Sequence, residues 1–265
     1  MHMPERATMS QYMETTLIQY LIICPLVFIA GFIDAIAGGG GLITLPAYMI
    51  AGLPAHNAIA TNKMASTMGT TAATIKYAKD GYINWKHCAL AAITALAGST
   101  LGSNLALILS DEVFSIIMAC ILPLTAIYVL THKSFESKKE PFSVWKTIII
   151  CAIIAFFIGI YDGFYGPGTG TFLLLLLTGL ARITLDEAAG TTKVINLTTN
   201  VTALTVFLIN GKVFLPLGAI AGVFSIAGNW LGASAYSKKG IKFARPLICL
   251  VLAIFLVKLI VGFIG

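Results

Sequence analysis

The sequence predicts an all-α polytopic membrane protein built from two inverted repeats, each with four long helices and one short broken or re-entrant segment. Three observations lead to this prediction. Of the 265 residues, 58% are hydrophobic and only 11% are charged, and the mean hydropathy is +0.91. Eight apolar runs are long enough to cross a bilayer, which takes about 20 residues. Finally, a glycine-rich motif occurs twice, in matching positions of the two halves.

The apolar runs define the elements in chain order. The long runs lie at about 16–37, 55–77, 86–109, 112–131, 144–163, 185–209, 213–236 and 243–264. Two shorter apolar stretches, at about 42–52 and 170–181, follow the two glycine-rich motifs. We therefore predict a single integral membrane domain over residues 1–265, with repeat one at 16–131, a cytoplasmic linker at 132–143 and repeat two at 144–265.

The two halves share a register that indicates an internal duplication. Asp34 aligns with Asp162, and Gly40 aligns with Gly168. Further pairs keep a constant spacing of 130 residues: Lys63 with Lys193, Gly81 with Gly211, Gly98 with Gly228, and Gly102 with Gly232. A register kept over about forty residues is hard to obtain by chance, even in apolar sequence.

The basic residues predict how the chain crosses the membrane. Lys63, Lys193 and Lys258 lie within apolar runs, and 14 other basic residues remain. If the short segments at 42–52 and 170–181 cross, 12 of those 14 share one side; if the segments re-enter, the split is nine to five. Because cytoplasmic loops are enriched in Lys and Arg, we predict five crossings per half, inverted repeats, cytoplasmic basic loops and both termini outside.

Each glycine-rich motif follows an aspartate and interrupts a helix. Membrane helices tolerate such an interruption only where it is buried in protein or lines a watery cavity. Two interruptions in matching positions predict a binding site between the repeats. The short helix after each break points its positive N-terminal end into the break, which suits an anion. Alternatively, glycines can simply permit close helix packing, and that interpretation fits the spaced glycines Gly98, Gly102, Gly228 and Gly232.

Two lysines lie deep inside apolar runs. Lys63 and Lys193 are eight or nine residues from the start of their runs, too far to reach water easily. A buried ammonium costs several kcal/mol unless it is paired or hydrated. The functional interpretation is that both face an anionic substrate from two sides. The structural one is an ion pair with a carboxylate such as Asp34 or Asp162, and the two interpretations are compatible.

The remaining polar residues of these stretches complete the predicted site. Asp34 and Asp162 are predicted to handle a coupling ion, because a carboxyl group in apolar surroundings can bind and release a proton; alternatively, either caps the next helix. The predicted substrate-binding residues are Lys63, Lys193, Asn62, Thr61, Thr192, Asn196, Gly38, Gly39, Gly40, Gly41, Gly166, Gly168, Thr169 and Gly170. Ser66, Thr191 and Asn200 lie within two or three turns of the lysines.

Three stretches carry a family signature: residues 31–41 (GFIDAIAGGGG), 60–63 (ATNK) and 161–170 (YDGFYGPGTG). In them the chain resembles the TauE/SafE family of sulfite exporters and toluenesulfonate-uptake permeases, and its YfcA-like branch in particular. The resemblance runs from about residue 17 to the C-terminus. It implies a bacterial inner-membrane transporter, and members are linked to export or uptake of sulfite, sulfoacetate and other organosulfur anions. Thr192 departs from Asn62 at the matching position, so the half-sites need not contribute equally.

Residues and resemblance together predict a secondary transporter, and specifically an exporter, of a small sulfur-containing anion such as sulfite or an organosulfonate. It would work by alternating access, driven by a proton or sodium gradient. An anion channel and a carrier of another small organic anion are the alternatives. The sequence has no HExxH, GxSxG or P-loop motif, so we predict no enzyme activity, no cofactor and no metal site. The formal charge of +6 lies in loops, so we expect lipid and no nucleic acid as partner, and a homodimer is left open.

Overall fold

The computed structural model of the chain describes residues 17–131 and 140–239. These residues form nine helices, which confirms the predicted all-α fold. Seven of the nine contain 21 to 25 residues, and the other two contain 10 and 11. In chain order they are α1 (Leu17–Ala37), α2 (Gly41–Ile50), α3 (Ala55–Lys79), α4 (Trp85–Ile108), α5 (Asp111–Thr131), α6 (Val144–Phe164), α7 (Thr169–Gly179), α8 (Leu185–Ile209) and α9 (Leu215–Lys239).

These helices begin and end within three residues of the predicted runs, and the short helices α2 and α7 follow the two glycine-rich breaks as expected. The predicted run at 243–264, with Lys258, lies outside the described residues, as does most of the linker at 132–143. The division into repeats at 16–131 and 144–265 therefore stays a prediction.

Five of the described helices are long and apolar enough to cross a membrane: α1, α4, α6, α8 and α9. The most apolar of them are α1 and α6, with mean hydropathies of 2.3 and 2.2. Large apolar side chains cover the outer surfaces, since Ile93 on α4 is 66% exposed and Phe157 on α6 is 64% exposed. Such a surface is unfavourable in water and is stable in hydrocarbon. The chain is a multi-pass membrane protein.

The two breaks have the same backbone cause. Gly38 and Gly39 have φ angles of 71° and 99°, and Gly166 and Gly168 have φ angles of 98° and 83°. This left-handed region is open to glycine and strained for other residues. Helix α1 therefore ends just before Gly38, α6 ends two residues before Gly166, and a new short helix begins after each break.

The fourth helix of each repeat packs against the first helix of the other repeat: α4 packs on α6, and α9 packs on α1. Glycines allow this contact. A Cβ atom on Gly98 would lie 2.2 Å from the carbonyl oxygen of Phe156, and one on Gly228 would lie 2.1 Å from a carbonyl oxygen of α1. Gly102 and Gly232, one turn further along each helix, make the corresponding contacts. The close packing predicted for these spaced glycines is therefore present in both repeats, in the same arrangement.

Helices α3 and α8 pack against each other, and the start of each lies beside the end of the other. At one end, the Asn57 side chain donates to the carbonyl oxygen of Lys212, 2.8 Å away, beside the end of α8. At the other end, the Asn84 side chain donates to Glu187 Oε1 at 2.7 Å, so the start of α8 lies beside the end of α3. The two equivalent helices therefore run antiparallel.

The short helices return the chain toward the side from which it came. In repeat one, the Gln19 side chain near the start of α1 donates to the carbonyl oxygen of Ala51, just after α2, at 2.9 Å. In repeat two, Arg182, just after α7, donates to the carbonyl oxygen of Glu140, just before α6, at 3.2 Å. Each long helix and the short helix after it thus form a hairpin. A hydrogen bond joins its two arms at the end opposite the glycine-rich break.

Candidate functional site

The two breaks meet in the middle of the fold. A Cβ atom on Gly38 would lie only 2.4 Å from the backbone of Gly170, so the two glycine-rich segments cross at van der Waals distance. The Thr171 hydroxyl donates to the carbonyl oxygen of Ala37 at 3.0 Å, which pairs a carbonyl left free where α1 ends. The glycines thus bring the starts of α2 and α7 together.

A cavity of about 40 Å³ lies beside this crossing, surrounded by α1, α3, α8 and α9. A space of this size holds a few water molecules or one small ion. Most of the predicted site residues line it, and both short helices begin at its wall. The predicted residues that line the cavity are Asp34, Gly39, Gly40, Gly41, Asn62, Lys63, Asp162, Gly166, Gly168, Thr169, Gly170 and Asn196.

Lys63 is paired across the repeats. Its ammonium donates to Asp162 Oδ2 at 2.8 Å and to Asn200 Oδ1 at 3.0 Å. Lys63 is 3% exposed and Asp162 is 2% exposed, so the pair is buried. The lysine belongs to repeat one and both of its partners belong to repeat two.

Lys193 makes the reciprocal pair with repeat one. Its ammonium donates to the carbonyl oxygen of Asp34 and lies 3.6 Å from Asp34 Oδ2. The carboxylate of Asp34 is thus held less closely than that of Asp162, and its side chain is 17% exposed, against 3% for Asp162. The two ion pairs are equivalent by register but differ in tightness.

The carboxylates also organise the starts of the short helices. Asp34 Oδ1 accepts a hydrogen bond from the backbone N–H of Gly40 at 3.2 Å. Asp162 Oδ1 accepts one from the Thr169 hydroxyl at 2.7 Å. The ion-pair and helix-capping interpretations of these aspartates therefore both describe real contacts.

With all four groups ionised, two ammonium and two carboxylate groups sum to zero net charge. Each lysine already has a carboxylate partner, so neither is an unpaired cation in this structure. Because a buried charge without a partner is costly, an anion that enters this site needs a compensating positive charge. This balance is the main electrostatic property of the site.

Four predicted residues do not line the cavity: Lys193, Thr61, Thr192 and Gly38. The Lys193 ammonium contacts the backbone carbonyl of Asp34, and Gly38 lies against the backbone of Gly170 where the two breaks cross. The Thr61 hydroxyl accepts from the backbone N–H of Phe214 at 3.1 Å and so joins α3 to the start of α9. The Thr192 hydroxyl is buried and has no hydrogen-bond partner among residues 17–131 and 140–239. Two of these four residues belong to each repeat, so the predicted residues that line the cavity also divide equally, six from each repeat.

Some polar residues of the cavity were not among the predicted binding residues: Thr44, Ser66, Thr70, Asn200, Ser225 and Asn229. Ser225 and Asn229 are four residues apart on α9, so they share one helix face. That spacing is visible in the sequence. The glycines of the same helix account for its packing by themselves, so the sequence alone gives this polar pair no separate role.

Two histidine–carboxylate contacts lie away from the cavity, at helix ends. His56 Nδ1 is 2.5 Å from Asp111 Oδ1, and His87 Nδ1 is 2.6 Å from Glu187 Oε1. Within the described ranges, no group of three or more His, Cys, Asp and Glu side chains is placed to hold a metal ion. These pairs join helices and are not part of the candidate site.

A multi-pass helical bundle with two interrupted helices that meet at a buried, ion-paired polar cavity defines a class of protein, the membrane transporters. The sequence profile of the family described as sulfite exporter TauE/SafE matches residues 23–259. The chain belongs to this family, as its glycine-rich motifs predict.

Relatives of this chain are named as transporters. It is 37% identical over 224 residues to "Probable membrane transporter protein ORF9" of Sinorhizobium sp., covering 84% of this chain and 85% of that protein. It is 33% identical over 223 residues to "Probable membrane transporter protein" of Haemophilus influenzae, covering 83% and 86%. It is 32% identical over 232 residues to "Probable membrane transporter protein YfcA" of Escherichia coli K12, covering 88% and 86%. No solved structure matches the chain.

Proposed function

We propose that this protein is a secondary transporter that moves a small sulfur-containing anion, such as sulfite or an organosulfonate, across the bacterial inner membrane. The observation that supports this most is the cavity at the meeting point of two helix breaks. Beside it, the lysine of each repeat pairs with the aspartate of the other repeat. Alternating access would move one repeat against the other around this site.

An anion would bind by taking the place of a carboxylate. Lys63 and Asn200 already present an ammonium and an amide at one wall of the cavity. The N-terminal ends of α2 and α7 add the positive ends of two helix dipoles through the backbone at Gly40 and Gly168. When Asp162 takes up a proton and releases Lys63, the oxygen atoms of a sulfite or sulfonate group could accept from the same ammonium.

The charge balance calls for one monovalent cation with each monoanion, and the two aspartates make a proton the coupling ion that we propose. A monoanion alone would leave the site with a net charge of −1, whereas a monoanion with one proton leaves it neutral. Asp34 and Asp162 are the two carboxylates of the site that could carry this proton, and Asp162 would carry it when the anion displaces it from Lys63. We therefore propose coupling to protons, one for each monoanion.

The helix contacts support an inverted topology. The antiparallel packing of α3 and α8 places the α3–α4 turn on one side and the α8–α9 turn on the other. The hairpins formed by α1 with α2 and by α6 with α7 fit short helices that cross. We propose five crossings for each repeat, at 16–131 and 144–265, with basic loops in the cytoplasm and both termini outside.

The experiment is an uptake assay with protein reconstituted in liposomes. We expect a pH gradient, acidic on the side of the added anion, to drive accumulation of both sulfite and methanesulfonate, which remains ionised. Because anion and proton charges cancel, clamping the membrane potential with valinomycin and K⁺ should leave the rate unchanged. Flux that ignores the pH gradient and carries current would instead identify an anion channel. Flux of small carboxylates only would reassign the substrate class.

A further inference from the structure

One corner of the cavity, between α1, α3 and α9, holds a buried amide. Asn229 is 2% exposed, and its Nδ2 donates to the carbonyl oxygen of Ser225 at 3.0 Å and to Ser225 Oγ at 3.3 Å. A carbonyl oxygen can only accept, so this bond fixes which end of the amide carries the nitrogen. The remaining atom, Asn229 Oδ1, has no hydrogen-bond partner in the described part of the chain.

Two glycines make room for this amide. A Cβ atom on Gly69 would lie 2.4 Å from Asn229 Nδ2 and 2.1 Å from Ser225 Oγ. A Cβ atom on Gly31 would lie 2.8 Å from Asn229 Nδ2. We call these four residues, Gly31, Gly69, Ser225 and Asn229, the amide corner; all of them except Gly69 line the cavity.

The equivalent contact of the duplicated fold, between α8 of repeat two and α4 of repeat one, has no amide corner. At a spacing of 130 residues, Thr199 corresponds to Gly69 and Ser99 corresponds to Asn229. The Ser99 hydroxyl donates to the carbonyl oxygen of Thr199 at 2.8 Å, and neither residue lines the cavity. At this contact between α4 and α8 the hydroxyl is satisfied by the backbone of the facing helix, and neither residue presents an unpaired group to the cavity. The amide corner is therefore a feature added to the duplicated fold, and duplication alone does not account for it.

A buried acceptor without a donor is unfavourable, and a ligand that supplies the donor removes this penalty. We infer that the amide corner binds a hydroxyl group of the substrate, through Asn229 Oδ1, while the anionic group binds at Lys63. The Thr44 hydroxyl, which lines the cavity and also lacks a partner among the described residues, can contribute to the same end of the ligand. The inference rests on the proposed function and narrows its substrate class to small hydroxyl-bearing sulfonates.

The surroundings of the amide select a neutral donor. Its contacts in the corner are with Gly31, Gly69 and Ser225, none of which carries a charge. An ammonium group on the ligand would have no counter-ion among these three residues, and a buried charge without a counter-ion is unfavourable. A hydroxyl group satisfies the oxygen without adding charge.

The test compares two probes that have the same number of heavy atoms, 2-hydroxyethanesulfonate and propane-1-sulfonate, by calorimetric titration of the purified protein. We expect the hydroxyl-bearing probe to bind about tenfold more tightly or better, because the methyl analogue leaves Asn229 Oδ1 unpaired. In Asn229→Leu, which has a similar volume and no acceptor, this preference should disappear.

Ser99→Ala is the matched control, because it removes the hydroxyl at the position of repeat one that corresponds to Asn229, and it should leave the preference intact. Gly69→Ala is a second route if Asn229→Leu does not fold. Its Cβ atom would lie 2.1 Å from Ser225 Oγ and 2.4 Å from Asn229 Nδ2, so it displaces the amide and should also remove the preference.

Equal binding of the two sulfonates to the wild type would overturn the inference and leave the proposed function standing. A preference that survives both Asn229→Leu and Gly69→Ala would overturn the role of Asn229. Failure of sulfite and of both sulfonates to bind the wild type would overturn the proposed function and the inference together.

Discussion

Replacement of Lys63 by methionine is expected to abolish anion transport and to lower the melting temperature of the protein by about 10 °C. The stability loss follows because Lys63→Met leaves Asp162 buried without its partner, and breaking a buried ion pair in this way costs about 3–5 kcal/mol. The transport loss follows because Lys63 is the one lysine that lines the cavity among the described residues, and Lys193 is not a lining residue. The measurements are thermal unfolding in detergent and uptake into liposomes.

The double variant Lys63→Met/Asp162→Asn separates the two effects. It removes both charges together, and an asparagine at 162 can still accept from the Thr169 hydroxyl. We expect most of the lost melting temperature to return, because replacing both members of a buried pair is often nearly neutral. Transport should not return. Recovery of transport in the double variant would mean that the pair only stabilises the fold, and that the anion binds elsewhere.

Gly38→Ala is expected to have the second largest effect, a fall of about 10 °C in melting temperature together with loss of transport. An alanine at 38 is strained by the φ of 71°, and its Cβ would lie 2.4 Å from the backbone of Gly170. Backbone cannot move aside as a side chain can, so the crossing of the two breaks must open. Overpacking of this kind costs about 1–3 kcal/mol in addition to the backbone strain.

The matched control is Gly81→Ala, in the turn between α3 and α4. Gly81 has a similar φ of 81°, but no atom lies within 4 Å of the position of its Cβ. Its melting temperature should fall by only about 2–4 °C, which is the cost of left-handed backbone alone. Equal losses in Gly38→Ala and Gly81→Ala would show that the contact between the breaks contributes nothing.

The helices and the family could be predicted from the sequence because both depend on local patterns. Apolar runs and glycine breaks set the helix ends to within three residues, including those of α2 and α7. The register of 130 residues singled out Lys63 and Lys193 as equivalent positions. The aspartates were recognised as candidate partners for them, since a buried ammonium requires a carboxylate nearby.

The arrangement of the site depends on contacts between elements far apart in the chain, which the sequence does not encode locally. It did not determine that Lys63 pairs with Asp162 and Lys193 with Asp34, because either aspartate could have served either lysine. The unequal half-sites also depend on packing: Gly69 admits the amide of Asn229 to the cavity, whereas Thr199 closes the equivalent position. Sequence reasoning treated the lysines as equal, and only Lys63 lines the cavity.

The most direct test of the central claim, that an anion enters a neutral site together with a proton, is the number of protons taken up on binding. Calorimetric titration with methanesulfonate, in buffers that differ in heat of ionisation, measures this number through linkage. The charge balance of Lys63, Lys193, Asp34 and Asp162 predicts about one proton for each anion bound near neutral pH. Binding with no proton uptake would contradict the account, because the site would then hold an uncompensated negative charge.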